Sequence, residues 1–104
     1  MEANLIKSKE RIKEFGEVFT PAWLVSDMCD LVNNEIINED TSILEPCCGN
    51  GNFLIEILRR RLSKPNKTTD YIRKSIQSLK GIDILPDNVQ EAKSRLLSEI
   101  VEHL

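Results

Sequence analysis

The stretch from Ile43 to Ile55, "ILEPCCGNGNFLI", constrains the fold more than any other part of the chain. A short apolar run ends in an acid and turns through Pro46 and a Gly-x-Gly. It then resumes as a helical pattern in which Phe53, Leu54, Ile57, Leu58 and Leu62 share one face. The residues "TSILE" form a strand candidate, bounded by the polar "NED" and by Pro46. A second candidate, "KGIDIL", ends at Pro86. That proline opens a long helix whose face carries Val89, Ala92, Leu96, Leu97, Ile100, Val101 and Leu104. Strand, helix and strand at this separation imply two parallel strands joined by a right-handed crossover. The class is therefore α/β.

The remaining segments are helical or irregular. Residues 1–15 form a charged N-terminal helix, running from Ala3 to Glu14 with Leu5, Ile6, Ile12 and Phe15 as its apolar contacts. "GEVF" is a connector. Thr20 followed by Pro21 reads as an N-cap hydroxyl and a first-turn proline. The helix they open presents Leu24, Val25, Met28, Leu31 and Val32, and should fade at Asn33-Asn34. "SKPNKTT" is a loop by composition, and "DYIRKSIQSL" is a short helix carrying Ile72, Ile76 and Leu79. Open doubly wound sheets usually have about five or six strands. Residues 16–104 therefore read as the first portion of a partial, Rossmann-like doubly wound domain, cut short after two strands.

Composition removes some classes. At 104 residues the chain is one small domain or a piece of one, with no run of about 18 apolar residues and no apolar leader at "MEANLIKSKE". The expectation is no membrane partner and a cytoplasmic setting, with three reduced cysteines, two of them adjacent. A net charge of −3 does not by itself point to nucleic acid. "KSKERIK" and the arginines at 59–61 read as solvated helix faces or as helix ends favoured by the dipole.

The glycine loop lies where parallel α/β sheets bind ligands, outside the carboxyl end of a strand and at the start of a helix. Gly49 and Gly51 allow a tight turn and a close approach to the backbone. A dinucleotide fingerprint needs a third glycine, and Leu54 stands there. Glu45, just upstream, would repel a pyrophosphate. It suits a ligand with a positive group or hydroxyls, such as S-adenosylmethionine. Asp83 ends the second strand and is suited to accept from a pair of ribose hydroxyls. It lies 34 residues beyond Gly49, against about 20 in a minimal unit, and "SKPNKTTDYIRKS" accounts for the excess.

Three segments in order, "GEVFTPAWLVSDM", "ILEPCCGNGNFL" and "GIDILPDNVQEAKSRL", resemble the N-terminal part of N6-adenine DNA methyltransferases of restriction–modification systems, in the gamma arrangement. The resemblance runs from about Gly16 to Leu97. It implies the class I methyltransferase fold and S-adenosylmethionine as cofactor. By that resemblance Phe19, Thr20 and Pro21 line the methionine end, with Thr20 bonding the carboxylate. Glu45 faces the amino group, and Pro46, Cys47, Cys48, Gly49, Asn50 and Gly51 border the methionine moiety. Asp83 takes the ribose and Ile84 packs on the adenine. Phe53 anchors the loop from below or serves as a core aromatic. Cys47 and Cys48 are expected to be small, semi-buried packing residues, and His103 to be solvated. Leu85 stands where a polar residue is common, leaving the cap of the last helix undefined.

The family's catalytic motif, N-P-P-Y or D-P-P-Y, has no counterpart in the sequence. The expectation is a cofactor-binding fragment, inactive alone, whose partners are DNA through the full-length enzyme and the remainder of the chain or a specificity subunit. An interaction module that pairs with another chain through open sheet edges, or self-associates, is the alternative. A methyltransferase acting on RNA, protein or a small molecule is disfavoured by "GEVFTP". A nicotinamide dehydrogenase is disfavoured by Glu45 and Leu54.

Overall fold

The computed structural model describes residues 5–15 and 17–104. Its centre is the parallel pair expected from the sequence. Strand β1 (Ile43–Glu45) lies beside β2 (Leu79–Gly81), with Ile43 opposite Leu79 and Glu45 opposite Gly81. Between them run helices α4 (Asn52–Leu62) and α5 (Thr69–Gln77). Backbone bonding continues past both strands: Ile82 N–H donates to Glu45 O at 3.0 Å, and Cys48 N–H to Ile82 O at 2.9 Å. The second strand is shorter than "KGIDIL" and starts earlier. Leu79, placed on the face of α5 by its spacing, is a strand residue. Asp83 lies beyond the strand because its own carboxylate accepts from Leu85 N–H at 2.8 Å and bends the chain there.

Helix α4 is the hub. Its Leu54, Ile55, Ile57, Leu58 and Leu62 are buried, each contributing about 1.5–3 kcal/mol by leaving water. It packs against α2 (Ala22–Asp30), α5 and α6 (Pro86–Glu102). Val25, Cys29, Ile36 and Ile57 form one core cluster, with Ile43, Phe53 and Leu79 against it. Phe53 thus takes the second of its two expected roles, that of a core aromatic.

Several helix details depart from their sequence patterns. Helix α1 spans Lys9–Phe15. Ser8 Oγ accepts from Arg11 N–H at 3.1 Å, an N-cap that starts the helix later than expected. Ala3 and Asn4, assigned to this helix, lie outside the described residues. Pro21, in extended conformation, is the N-cap of α2, and the Thr20 hydroxyl makes no capping bond. Val25 and Cys29 are the buried face of α2, whereas Met28, Leu31 and Val32 are exposed. Asn33 does not end a helix but starts the one-turn α3 (Asn33–Ile36), which turns Ile36 into the core.

The largest departure is α6. Its apolar stripe predicts burial of Leu97, Val101 and Leu104, yet these are exposed. The inward face is Asn88, Ala92 and Glu99, at spacings of four and seven. Polar residues can take that side because each is paired: Asn88 with Lys7, and Glu99 with Arg59. His103 is half-buried, its Nδ1 2.8 Å from Glu99 O, rather than solvated.

The arginine cluster is not a simple solvated face either. Arg61 is fully buried. Its Nε donates to Ile36 O at 2.6 Å, and its Nη1 to Ser75 O and to Ser78 Oγ at 3.0 and 2.6 Å. Its Nη2 donates to Asn38 O and Thr41 O at 3.0 and 2.8 Å. One guanidinium therefore ties α3, the approach to β1 and the end of α5 together at the amino end of the sheet. Burial pulls its pKa down, and the ring of oxygens compensates for the lost water.

Candidate cofactor site

At the opposite, carboxyl end of the strands lies a cavity of about 500 Å³, in the size range of small-molecule sites. The turn that shapes it is set by two glycines. Gly49 has φ +53°, and a Cβ there would sit 3.1 Å from the Phe19 ring. Gly51, the N-cap of α4, has φ +94°, and its Cβ would meet Ala92 Cβ at 3.1 Å. The glycines thus combine left-handed backbone with close contact on both sides. Gly51 N–H donates to Cys48 O at 2.9 Å and closes the turn.

The two acids hold the loop through N–H groups. Glu45 Oε1 accepts from Cys47 N–H at 3.2 Å. Asp83 Oδ2 accepts from Gly49 N–H at 3.1 Å, linking the ends of the two strands. Asp83 Oδ1 takes Leu85 N–H and, at 3.4 Å, Asn88 Nδ2. Asp83 therefore supplies the start of α6 with the acceptor that Leu85 lacks.

Of the twelve residues assigned to the site from the sequence, Phe19, Thr20, Glu45, Pro46, Cys47, Cys48, Gly49, Asn50, Asp83 and Ile84 line this cavity. Pro21 is set back as the cap of α2, and Gly51 is packed against α6. Phe19 is buried, and its N–H donates to Leu5 O at 2.7 Å. The Thr20 carbonyl accepts from Asn52 Nδ2 at 2.9 Å, which fastens the "FTP" segment to the first turn of α4. Arg95 Nη1 donates to Asn50 O and Asn52 Oδ1 at 3.0 and 2.7 Å, bracing the loop from α6. Cys47 is exposed, against expectation, and Cys48 is half-buried. Burial, then the nearby Asp83 and Glu45 carboxylates, push the Cys48 thiol up, so it is a poor nucleophile at neutral pH.

Phe15, Glu17 and Val18 also border the cavity and were not assigned to the site from the sequence. Glu17 and Val18 directly precede the "FTP" residues in the "GEVFTP" segment, and the N-terminal segment folds back onto α6. Lys7 Nζ pairs with Asp87 and Glu91 at 2.8 and 3.0 Å, and Arg11 pairs with Glu17 and Asp87 at 2.9 and 2.6 Å. Among the described residues no cluster of three His, Cys, Asp or Glu could hold a metal ion, and no helix is long and apolar enough to cross a membrane.

The family model for N-6 DNA methylases matches residues 4–85, which include the "FTP" segment, the glycine loop and Asp83. The chain belongs to the N-6 DNA methylase family. No curated protein and no solved structure matches it. Members of this family are DNA methyltransferases that generally use S-adenosylmethionine. The methylase match and the cavity coincide: apart from Pro21 and Gly51, every assigned site residue lies both within residues 4–85 and on the cavity wall.

Proposed function

We propose that this chain binds S-adenosylmethionine at the carboxyl end of its sheet and forms the cofactor-binding part of an adenine-N6 DNA methyltransferase of a restriction–modification system. The observation that carries the reading is the convergence of Thr20, Glu45, the Gly49 turn and Asp83 on one cavity. Two carboxylates there suit a ligand with an ammonium and a sulfonium and disfavour a pyrophosphate. In this reading the Thr20 hydroxyl donates to the ligand's carboxylate and Glu45 faces its amino group, and both residues line the cavity. Asp83 already accepts from three groups. A carboxylate offers about four acceptor sites, which leaves capacity for a ribose hydroxyl. Ile84 is largely exposed at the cavity edge and supplies an apolar surface for the adenine.

When bound, the cofactor supplies an electrophilic methyl group for direct displacement by the adenine amino group. The residues of this chain would hold and orient that donor, so that binding energy goes into alignment. DNA and the residues that grip the flipped base belong, in this reading, to the full-length enzyme. The test is calorimetric titration of the chain with S-adenosylmethionine. Saturable one-to-one binding, weakened by Glu45→Gln and by Asp83→Ala, is expected; a folded chain that takes up no cofactor contradicts the proposal.

A second reading has one observation in its favour. Among the described residues β1 has a neighbour on one edge only, and Leu44 is 60% exposed. A module that pairs with another chain through that edge would show a mass rising with concentration in light scattering. A constant monomer mass would remove this reading.

A further inference from the structure

Asn88, in the first turn of α6, is fully buried, and its amide meets three charged side chains. Its Oδ1 accepts from Lys7 Nζ at 2.6 Å. Its Nδ2 donates to Glu17 Oε2 at 2.6 Å and to Asp83 Oδ1 at 3.4 Å. An ammonium only donates and a carboxylate only accepts, so these neighbours fix the orientation of the amide. A single carboxylate or ammonium could not serve all three, whereas an amide carries both functions in one plane. Lys7 and Glu17 belong to the N-terminal segment, and Arg11 holds Glu17 in place. Asp83, in turn, accepts from the N–H of Gly49. A continuous set of contacts thus runs from the N-terminal segment, through one neutral side chain, to the acid and the glycine turn of the cavity.

We infer that Asn88 is a positioning residue that sets the Asp83 carboxylate, and through it the Gly49 turn, according to how the N-terminal segment is seated. The part of this role that concerns ribose recognition rests on the cofactor reading above; the link to Gly49 does not.

Two arms test it on the full 104-residue chain. In the first, amide exchange is followed by NMR in the free protein. Asn88→Ala should speed exchange at Gly49 about tenfold, the loss of a bond worth about 1.4 kcal/mol, while Leu58 in the core stays unchanged. Lys7→Met, at a half-buried surface lysine, should act in the same direction but more weakly, which guards against a variant that fails to fold. In the second arm, S-adenosylhomocysteine and its 2′,3′-dideoxy derivative are titrated calorimetrically. Asn88→Ala should weaken the first about tenfold and the second less than about twofold. Asn88→Asp, which sets a third carboxylate beside Glu17 and Asp83, should weaken the first further. Unchanged Gly49 exchange, or equal loss for both ligands, overturns the inference. Faster Gly49 exchange with no binding of either ligand by the unmodified chain upholds the link to the loop and overturns the cofactor reading.

Discussion

The two ends of the same pair of strands are built on opposite principles. At the amino end a buried cation, Arg61, gathers carbonyl oxygens from three segments and fills the space between them. At the carboxyl end two anions, Glu45 and Asp83, gather backbone N–H groups and hold a cavity open. Both satisfy backbone groups of the helices and turns that flank the short strands. The closed end converts its polar side chain into stability, because every donor is used internally. The open end keeps acceptor capacity free and depends on glycines that no other residue could replace without strain. A domain of this size can carry an open polar cavity at one end if the other end is tightly fixed.

That contrast can be broken most severely at Arg61. Arg61→Met should strand several buried carbonyls and cost about 3–5 kcal/mol in urea unfolding. Arg61→Lys keeps the charge but has three donors in place of a planar fork, and should recover only part of the loss. Cofactor affinity per folded molecule should remain unchanged in Arg61→Lys. A loss under about 1 kcal/mol for Arg61→Met would show that the amino end is not the anchor.

Gly49→Ala should act on both properties. The left-handed backbone costs about 1–2 kcal/mol for a residue with a Cβ, and the added methyl must displace the Phe19 ring. Lower stability together with weaker cofactor binding is expected. Full stability with normal binding would mean that the turn is not held in the conformation described.

Glu45→Gln separates the ends more sharply. The glutamine oxygen can still accept from Cys47 N–H, so the unfolding free energy should change by less than about 0.5 kcal/mol. Removal of the charge should still weaken a cationic ligand by about tenfold, the worth of about 1.4 kcal/mol. Equal affinity for the two forms would detach Glu45 from the ligand's amino group.

The smallest effect concerns pH. Arg11, then Lys7, hold the Asp87 carboxyl well below the usual carboxylate range. A depressed folded value stabilises above the unfolded value of about 3.9, and that contribution is lost as pH falls below it. Acidification should therefore lower stability, and Asp87→Asn should make the fall shallower. The side chain is half exposed, so water screens most of the effect. Identical slopes for the two proteins would show that the pairing contributes nothing in solution.

The carboxyl end was legible in the sequence and the amino end was not, for a physical reason. The strand, the acid, the glycine turn and the helix that follows are contiguous, and each is encoded by local backbone preference. Asp83 could be placed because the second apolar run leads to it, even though the strand itself ends earlier. Arg61 works by collecting carbonyls of Ile36, Asn38, Thr41 and Ser75, and a carbonyl leaves no mark on residue identity. The periodicity of α6 misleads for a related reason. Asn88 and Glu99 count as surface by type, but pairing with Lys7 and Arg59 turns them inward and leaves Leu97 and Val101 outside. The fold-back of the N-terminal segment rests on Lys7 and Arg11 pairing with Asp87 and Glu91, long-range contacts that no motif announces.

The most direct test of the two-ended account is a ¹⁵N NMR titration of the chain with S-adenosylmethionine. Shifts confined to Thr20, the Cys47–Gly51 turn and the Asp83–Leu85 turn, with the Ser75 and Thr41 amides near Arg61 unmoved, are the predicted result. Saturating cofactor that leaves the Gly49 and Asp83 amides unshifted, or perturbs the Arg61 end instead, would contradict it.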